Sequence, residues 1–461
     1  MSKRLLPFVA LLAGCSLAPD YQRPAAPVPE SWPALQAAGG LGESGRQPVA
    51  RDWRKLFPDP RLQSLIAAAL EHNRDLRIAL ARVEEARALA GIARADRFPQ
   101  IDTVAQRAAS LSPADVSGTG RQLNAQRYDV NLGVAAFELD FWGRVKNLDE
   151  AARAGFLASE YAQQSFRLGL IADVASAYFS AIELQERVAL AAATLASRAE
   201  SRRLVIARRD VGLAGELDVL AAEAATQTTR AELANLTRQA ATAENALRLL
   251  VGSSPALPSG KMLEQQGLVA DVPVGLPSEV LLTRPDVLAA EQRLQAANAN
   301  VGAARAAFLP RILLTAALGT ASRSLAGLFD AGSGAWSFNP VLRYPLFDSG
   351  RSEGNVDLAQ ARKSVAVADY EKSLQQGFRE IADLLVSREQ YAEQLAAQDA
   401  ATRAQAERQR MVEARHNAGL SSYLELLDAQ RDYFAAQQSA LAIRRLQLAN
   451  TASLYKALAL Y

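Results

Sequence analysis

The stretch that decides the fold is ARHNAGLSSYLELLDAQ, residues 414–430, because an earlier stretch of the chain resembles it closely. Residues 207–223 read ARRDVGLAGELDVLAAE, and the two stretches align without a gap at a separation of 207 residues. Each copy carries a Gly-Leu pair, at Gly212 and at Gly419, of the kind that ends a helix with a left-handed residue. The chain is therefore predicted to contain two related turns, each between two helices.

The repetition extends far beyond these turns. Residues 286–305 match residues 75–94 at a separation of 211, and LFDSGR from residue 346 matches LDFWGR from residue 139 at a separation of 207. The difference of four falls between the two matches, in a region of predicted strands and loops, where insertions are tolerated. We therefore predict an internal duplication of most of the chain.

Composition excludes several classes of protein. The chain has 461 residues, 49% of them apolar, with 51 basic against 49 acidic side chains. Because the charges nearly cancel, no basic surface for nucleic acid is expected. The apolar half of the residues is enough for a large core. One cysteine and two distant histidines, His72 and His416, exclude a His/Cys zinc site and a disulfide within the chain. No cofactor is expected, and an enzyme is the least favoured class.

The N-terminus has the pattern of a secretory signal. Lys3 and Arg4 precede the apolar run LLPFVALLAG, which is too short to cross a membrane as a helix. Residues 12–15, Leu-Ala-Gly-Cys, resemble the bacterial lipoprotein signal, so residues 1–14 are predicted to be removed and Cys15 to be lipidated. The alternative is that Cys15 is an ordinary signal residue, lost on cleavage.

The remaining chain divides by composition. Residues 15–60, rich in Pro, Gly and Ala, are predicted to be an extended lipidated segment. Residues 61–251 form the first repeat, 252–282 a Pro- and Gly-rich linker, and 283–461 the second repeat. In the first repeat, helical patterns run from about 59 to 97, 145 to 209 and 216 to 250. From Leu233 to Leu250, apolar residues step by three and four, as in a coiled-coil seam.

Between the helices of each repeat lie segments of alternating polarity. In the second repeat, large apolar side chains lie two or four positions apart, at Trp336, Phe338, Leu342 and Leu346. In the first repeat, apolar or ring residues alternate with polar residues or glycine, at Tyr128, Val130, Leu132 and Val134. Partner strands are predicted near residues 99–110 and 310–322. The pattern fits strands of a membrane barrel and equally a soluble hairpin packed on helices.

Element lengths restrict the architecture. A helix of some 65 residues is about 100 Å long, more than three times a bilayer core, and these helices are rich in charge. The strands have the right length for a bilayer, but the four strands of one chain cannot close a barrel. Because open sheet edges are not tolerated in lipid, membrane strands would require several chains to share one barrel.

The sequence resembles the TolC-like outer-membrane efflux family, in the lipidated branch that serves resistance-nodulation-division pumps. The resemblance rests on LAGCSLAPDY from residue 12, GLPSEVLLTRPDVLAAEQRLQAANANVGAARAAFLPRI from 275, and NAGLSSYLELLDAQRDYFAAQQ from 417. It implies a mixed α and β membrane protein, a homotrimer that shares one 12-stranded transmembrane β-barrel continued by a 12-helix periplasmic α-barrel. The linker would belong to the equatorial region.

The resemblance also implies a periplasmic gate. The turns at Gly212 and Gly419 would form the tips of the helical hairpins, and Leu424, Glu425 and Asp428 would face the constriction in three copies. A ring of carboxylates favours cations, and mutual repulsion raises their pKa values. Without the resemblance, the same residues would be described as a solvated helix face.

Polar ties at the gate are harder to predict. Ser421 stands where some relatives of the family carry a basic residue that joins the hairpin tips, so other residues are expected to supply that tie. Asp218, His416 and Arg431 are predicted to support the gate, with Arg415 as a further candidate. In the first repeat Ala221 occupies the position of Asp428, so the constriction is assigned mainly to the second copy.

The function predicted from these observations is passive conduction of drugs or other small toxic compounds across the outer membrane of a Gram-negative bacterium. The expected partners are a periplasmic adaptor, an inner-membrane transporter of the resistance-nodulation-division class, and outer-membrane lipid. The alternatives are a channel for type I protein secretion and a periplasmic coiled-coil adaptor lipoprotein.

Overall fold

The computed structural model describes residues 16–32, 52–253, 260–268 and 278–458. The predicted signal peptide 1–14 and the lipidation site Cys15 lie outside the described residues, as do residues 33–51 of the extended segment and parts of the linker. The elements in chain order are α1 (Trp53–Leu56), α2 (Pro60–His72), α3 (Arg74–Ala95), β1 (Ile101–Ser112), β2 (Leu123–Leu139), α4 (Arg144–Asp210), α5 (Glu216–Val251), α6 (Pro285–Ala306), β3 (Arg311–Ser322), β4 (Gly334–Arg343), α7 (Arg351–Asn417) and α8 (Tyr423–Ala457). Short 3₁₀ helices cover Leu263–Gln265 and Ser278–Thr283.

The contacts divide the chain into two compact units. Of the described residues, one unit comprises 16–25, 82–160 and 289–371, and the other comprises 26–32, 52–81, 161–253, 260–268, 278–288 and 372–458. Each unit takes segments from both predicted repeats. None of the described helices is both long enough and apolar enough to cross a membrane.

The first unit contains a four-stranded antiparallel sheet in the order β1-β2-β3-β4. Register pairs place Leu132 opposite Leu318 and Leu318 opposite Trp336, so these side chains share one face. That face is apolar yet uncovered, because Leu318 and Trp336 are 70% and 78% exposed in the single chain. In the described part of the chain this apolar face does not pack on helices, which disfavours the alternative of a soluble hairpin packed on helices.

The other face of the sheet is polar. Its residues include Asp129, Asn131, Thr315, Ser337 and Asn339, which alternate with the apolar positions and pair across the strands. A bulge between Val134 and Phe137, with Ala136 at a φ of 53°, interrupts the β2–β3 register. The predicted alternation of β4 continued to Leu346, but the strand ends at Arg343, before Pro345, which has no N–H for the ladder.

The N-terminal residues of this unit are docked. The Arg23 guanidinium donates two hydrogen bonds to Glu291 of α6, at 2.8 and 2.9 Å, and the Tyr21 hydroxyl donates a third at 3.1 Å. The Asn298 side chain donates to the Pro19 carbonyl at 2.8 Å. Residues 16–32 contain no helix, and these bonds hold residues 19–23 against α6. Residues 53–56, predicted to belong to the extended segment, form α1 instead.

The second unit has its largest core where α1 and α2 pack on the middle of α4 and on the ends of α5 and α8. Phe57, Ile66, Val174, Phe179 and Tyr455 are among its fully buried side chains. The predicted seam is confirmed: Leu236 is buried against Leu184 and Ala191, with Leu233, Ala240 and Ala243 beside it. Helical period thus located the contact stripe of α5 correctly.

The prediction of one helix over residues 59–97 is wrong, because Asn73 separates α2 from α3. The Asn73 side chain accepts a hydrogen bond from the Leu76 N–H at 2.8 Å, as an N-cap does. It also donates to the Leu250 carbonyl at 2.8 Å, near the end of α5. The residue therefore starts a helix and fixes the end of another.

Candidate functional site

The two quoted stretches form turns with the same hydrogen bonds. In the first, the Gly212 and Leu213 N–H groups donate to the carbonyls of Arg209 and Arg208, both at 2.8 Å. In the second, the Gly419 and Leu420 N–H groups donate to the carbonyls of His416 and Arg415, at 3.0 and 2.8 Å. This is the Schellman pattern of helix termination, which needs a left-handed residue. Gly212 and Gly419 supply it, with φ values of 77° and 74°.

The helices that follow the turns start differently. At α5 the Gly215 N–H donates to the Asp218 carboxylate at 3.2 Å, so Asp218 stabilises the start of its own helix. At α8 the Ser422 hydroxyl accepts from the Glu425 N–H at 3.2 Å, as an N-cap. Asp218 thus lies in the tip region, but its hydrogen bond is local to the first hairpin.

A small apolar core joins the two hairpins near their tips. Val205 of α4 and Val219 of α5 pack with Tyr423 and Leu426 of α8. Burial raises the pKa of the Tyr423 hydroxyl, with Arg198 opposing the shift and Asp218 adding to it. The tip is therefore one packed structure in which a residue of either hairpin affects the other.

The predicted gate residues lie on the first turns of α8. The side chain of Leu424 is 63% exposed, and that of Glu425 is exposed as well. Their neighbours Tyr423 and Leu426 point to the other side of α8 and are buried. Asp428 is partly exposed and accepts an ion pair from Arg431, with Nη1 to Oδ1 at 3.0 Å. Leu424 and Glu425 are thus open to solvent in the single chain, and the Asp428 carboxylate has a cation of the same helix as a partner.

Arg431 also contacts a second carboxylate. Its guanidinium lies 3.1 Å from Asp432, which accepts a further bond from Arg408 of α7 at 2.7 Å. Hydrogen bonds from Arg408 and Arg431 lower the pKa of the Asp432 carboxyl. Ion pairs through Asp428, Arg431, Asp432 and Arg408 therefore connect the first turns of α8 to α7.

His416 lies between the hairpins. Its Nε2 is 3.2 Å from Nη1 of Arg208 in α4, and its Nδ1 is 3.2 Å from the Ser421 carbonyl. The imidazole also packs at 5.7 Å from the Tyr423 ring. Of the predicted support residues, His416 is the one in contact with both hairpins, whereas Arg431 pairs within the second.

Sequence reasoning missed Arg208, Arg408 and Asp432 as parts of this region. A signal for Arg208 exists: it aligns with Arg415 in the duplicated stretch, next to the position of His416. No comparable signal existed for the Arg408–Asp432 pair, since its members are 24 residues apart on different helices. The assignment of Leu424, Glu425 and Asp428 to a constriction stays a prediction.

Comparison with known proteins gives concordant results. The family model for outer membrane efflux protein matches residues 65–253 and again residues 276–460. Over 463 residues the chain is 45% identical to the solvent efflux pump outer membrane protein SrpC of Pseudomonas putida, covering 99% of this chain and 98% of that protein. It is 39% identical over 458 residues to the cation efflux system protein CusC of Escherichia coli O157:H7, covering 99% of this chain and 98% of that protein. The open-state crystal structure of the Neisseria gonorrhoeae MtrE outer membrane channel superposes with a TM-score of 0.87 at 36% identity, over 96% of this chain and 98% of that chain.

Proposed function

This chain belongs to the outer membrane efflux protein family, and from that premise we propose that it is the outer-membrane exit duct of a tripartite efflux pump. It would conduct drugs or other small toxic compounds passively from an inner-membrane transporter and a periplasmic adaptor to the outside. The family consists of transport components, so an enzymatic role is not proposed. SrpC is named for solvents and CusC for cations, and the cargo of this chain is proposed only at the level of small toxic compounds.

The observation that carries the proposal is the four-stranded sheet. One face is apolar and exposed through Leu132, Leu318, Trp336 and Phe338, while the opposite face is polar. A wall between lipid and water needs such a sheet, but β1 and β4 leave two open edges. The edges are satisfied when copies of the chain join side by side.

We propose three copies, the number that the resemblance to the TolC-like family implies. Four strands from each chain make a barrel of twelve strands, a size within the range of membrane barrels. The four long helices α4, α5, α7 and α8 of each chain would likewise make a tunnel of twelve in the periplasm. Lipidation at Cys15 would add an anchor in the outer membrane.

At the tunnel tip we assign the gate to α8. Leu424, Glu425 and Asp428 of three copies would face one axis, with apolar contact between the leucines and charge around them. Because Arg431 pairs with Asp428, the ring would hold both signs of charge rather than carboxylates alone. Asp218 would act on the gate indirectly, by stabilising the start of α5 in the first hairpin.

The alternatives receive no support. A periplasmic coiled-coil adaptor would not need the exposed apolar sheet, and the named relatives are outer-membrane components of efflux pumps. Nothing among those names favours a channel for type I protein secretion.

The proposal is tested by reconstitution in planar bilayers. The native protein is expected to conduct poorly, and Leu424→Ala and Asp428→Ala to conduct more because each removes part of the constriction. Leu217→Ala is the matched control, since Leu217 is the equivalent leucine of the first repeat and is 82% exposed. In cells, the gate variants are expected to raise antibiotic leakage more than the control does. An absence of conductance in the native protein and in every gate variant would refute the proposed duct.

A further inference from the structure

The contact between Arg208 and His416 joins the two helical hairpins through side chains alone. Arg208 belongs to the last turn of α4, and His416 to the last turn of α7, two hundred and eight residues later. Both residues directly precede the turns at Gly212 and Gly419. A change in this contact therefore acts where the proposed gate begins.

The hydrogen bonds specify one form of the imidazole. Arg208 can only donate, so the Nε2 atom at 3.2 Å must accept. The Ser421 carbonyl can only accept, so the Nδ1 atom at 3.2 Å must carry the proton. The neutral imidazole with its proton on Nδ1 satisfies both partners, and it holds the tip turn through Ser421 and the first hairpin through Arg208.

The neighbouring charged groups come from three helices of the tip. Arg208 comes from α4, and Arg415 from α7 itself, with its guanidinium on the Leu420 carbonyl at 3.3 Å. From α8 the Tyr423 ring faces the imidazole, and Arg198 of α4 and Asp218 of α5 act electrostatically on that tyrosine. The Asp218 carboxylate is already engaged by the Gly215 N–H.

We propose that Arg208 and His416 form a proton-sensitive tie that positions the two hairpin tips in the closed gate. The proposal rests on the proposed function as a gated duct. When His416 takes up a proton, Nε2 becomes a donor that faces another donor, and two cations lie in contact. The bond to Arg208 is then lost. This loosens the two hairpins beside their turns, while the apolar core around Val205 and Tyr423 still joins them.

The tie is one-sided within the duplicated chain. Arg209 occupies the equivalent position of His416 in the first repeat. Its guanidinium pairs with Asp210 at 2.7 Å and with Glu216 at 3.4 Å, both in its own hairpin. Proton uptake at the tip therefore acts on α7 and on the start of α8, where Leu424 and Asp428 lie.

The test is the pH profile of conductance in planar bilayers. Histidine is the side chain whose charge ordinarily changes between about pH 5 and pH 8. Each hydrogen bond lost is expected to raise the open fraction on the order of threefold to tenfold from about pH 7.5 to about pH 5.5. His416→Gln, which keeps an acceptor without titration, should flatten this profile. Arg208→Gln should raise the open fraction at about pH 7.5 and weaken its pH dependence.

His72→Gln is the matched control, since His72 is the only other histidine of the chain and lies in α2. It is expected to keep the native profile. A native-like pH profile in His416→Gln would overturn the tie while leaving the duct intact, whereas absence of conductance in all gate variants would overturn the duct itself.

A second readout does not depend on conductance. Nitroxide labels at the exposed positions Val211→Cys and Ala418→Cys report the separation of the two tips in the full-length protein by pulsed electron resonance. Acidification is expected to lengthen or broaden the distance distribution, and His416→Gln is expected to abolish that change. A distribution that does not respond to pH, or that responds equally in His416→Gln, would refute the tie.

Discussion

At the scale of a single residue, Arg431 adds a positive charge to the proposed gate, where the family resemblance implied a ring of carboxylates. Its guanidinium lies 3.0 Å from Asp428 and 3.1 Å from Asp432, so one cation serves two carboxylates. Both Asp428 and Arg431 are substantially exposed, and the energy of such a pair is small. The charge of the pair matters more than its stability, because ions that pass the constriction respond to the local sign of charge.

Arg431→Gln is expected to increase cation preference of the channel, because it leaves the Asp428 carboxylates without their neighbouring cations. The measurement is the reversal potential in a salt gradient across a planar bilayer. Arg410→Gln is the control, since Arg410 pairs with Glu407 on the exposed surface of α7. Equal shifts in the two variants would assign the effect to overall charge rather than to the gate.

Gly419 is the residue whose backbone conformation the tip needs. At a φ of 74° an alanine is disfavoured by about 1 to 2 kcal/mol, although its methyl group would meet no atom within 4 Å. Gly419→Ala should therefore speed amide exchange at Leu420, whose N–H closes the turn. Gly354→Ala is the control: it lies within α7, also has no atom within 4 Å, and should favour the helix. Equal exchange at Leu420 in both variants would contradict the turn assignment.

At the scale of elements, each duplicated half contains an equivalent hydrogen bond from a side chain to the end of a long helix, but the donor residue differs. In the first half the Asn73 amide donates to the Leu250 carbonyl. In the second half Arg284 donates to the Ala457 carbonyl at 2.7 Å, and residues 250 and 457 are equivalent at the separation of 207. Each bond joins the residue before α3 or α6 to the end of the last long helix of its repeat.

Only the contact of the second half, made by Arg284, includes ion pairs. Arg284 also pairs with Asp286 at 2.7 Å and with Glu380 at 2.8 Å. Burial would raise the pKa values of both carboxyls, but the bonds and charge of Arg284 outweigh it and hold them below their usual ranges. A lowered pKa stabilises the fold above the usual range of a carboxyl and ceases to do so as pH falls through the lowered value.

Arg284→Met is expected to lower the free energy of unfolding by about 2 to 4 kcal/mol near neutral pH, because Arg284 is buried and its partners are partly screened. The loss should shrink below about pH 4, where the native protein also loses the contribution. Asn73→Ala is the comparison: it should destabilise with little pH dependence. The measurement is chemical unfolding across pH, and parallel pH profiles for the two variants would contradict the charge assignment.

At the scale of the whole molecule, the two faces of the sheet differ in polarity. Phe338 lies opposite Ala316 on the apolar face, and Asn339 lies opposite Thr315 on the polar face. Both side chains are exposed in the single chain, so the chain itself gives neither a partner. Under the proposed function, lipid covers the first face and water the second.

Phe338→Arg is expected to cost about 2 to 4 kcal/mol per chain on insertion, since it places a cation in lipid. Asn339→Arg, one residue along the same strand, should be tolerated because it points to the water-filled side. The measurement is the fraction of protein recovered as trimer from outer membranes. Equal recovery of the two variants would refute the assignment of faces.

Much of the fold follows from local patterns in the sequence. The bounds of α4 and α5, the seam through Leu236 and the turns at Gly212 and Gly419 were predictable, because helical period and left-handed glycines act within a few residues. The break at Asn73 was missed although its cap is local, because the apolar pattern continues across it while the Asn73 side chain accepts from the Leu76 N–H. Its second bond, to the Leu250 carbonyl, is a tertiary contact that no local pattern records. The assignment of Leu424, Glu425 and Asp428 to a gate came from the family resemblance and stays a prediction.

The sequence by itself therefore determined the duplication, the order of helices and strands and the positions of the tips. Only the tertiary structure decided that the apolar sheet face is uncovered, that Arg431 serves two carboxylates and that Arg208 meets His416. Periodicity and capping are properties of neighbouring residues, and the sequence displays them directly. A contact across 208 residues depends on how helices pack and which rotamers fit, and no local pattern records that outcome.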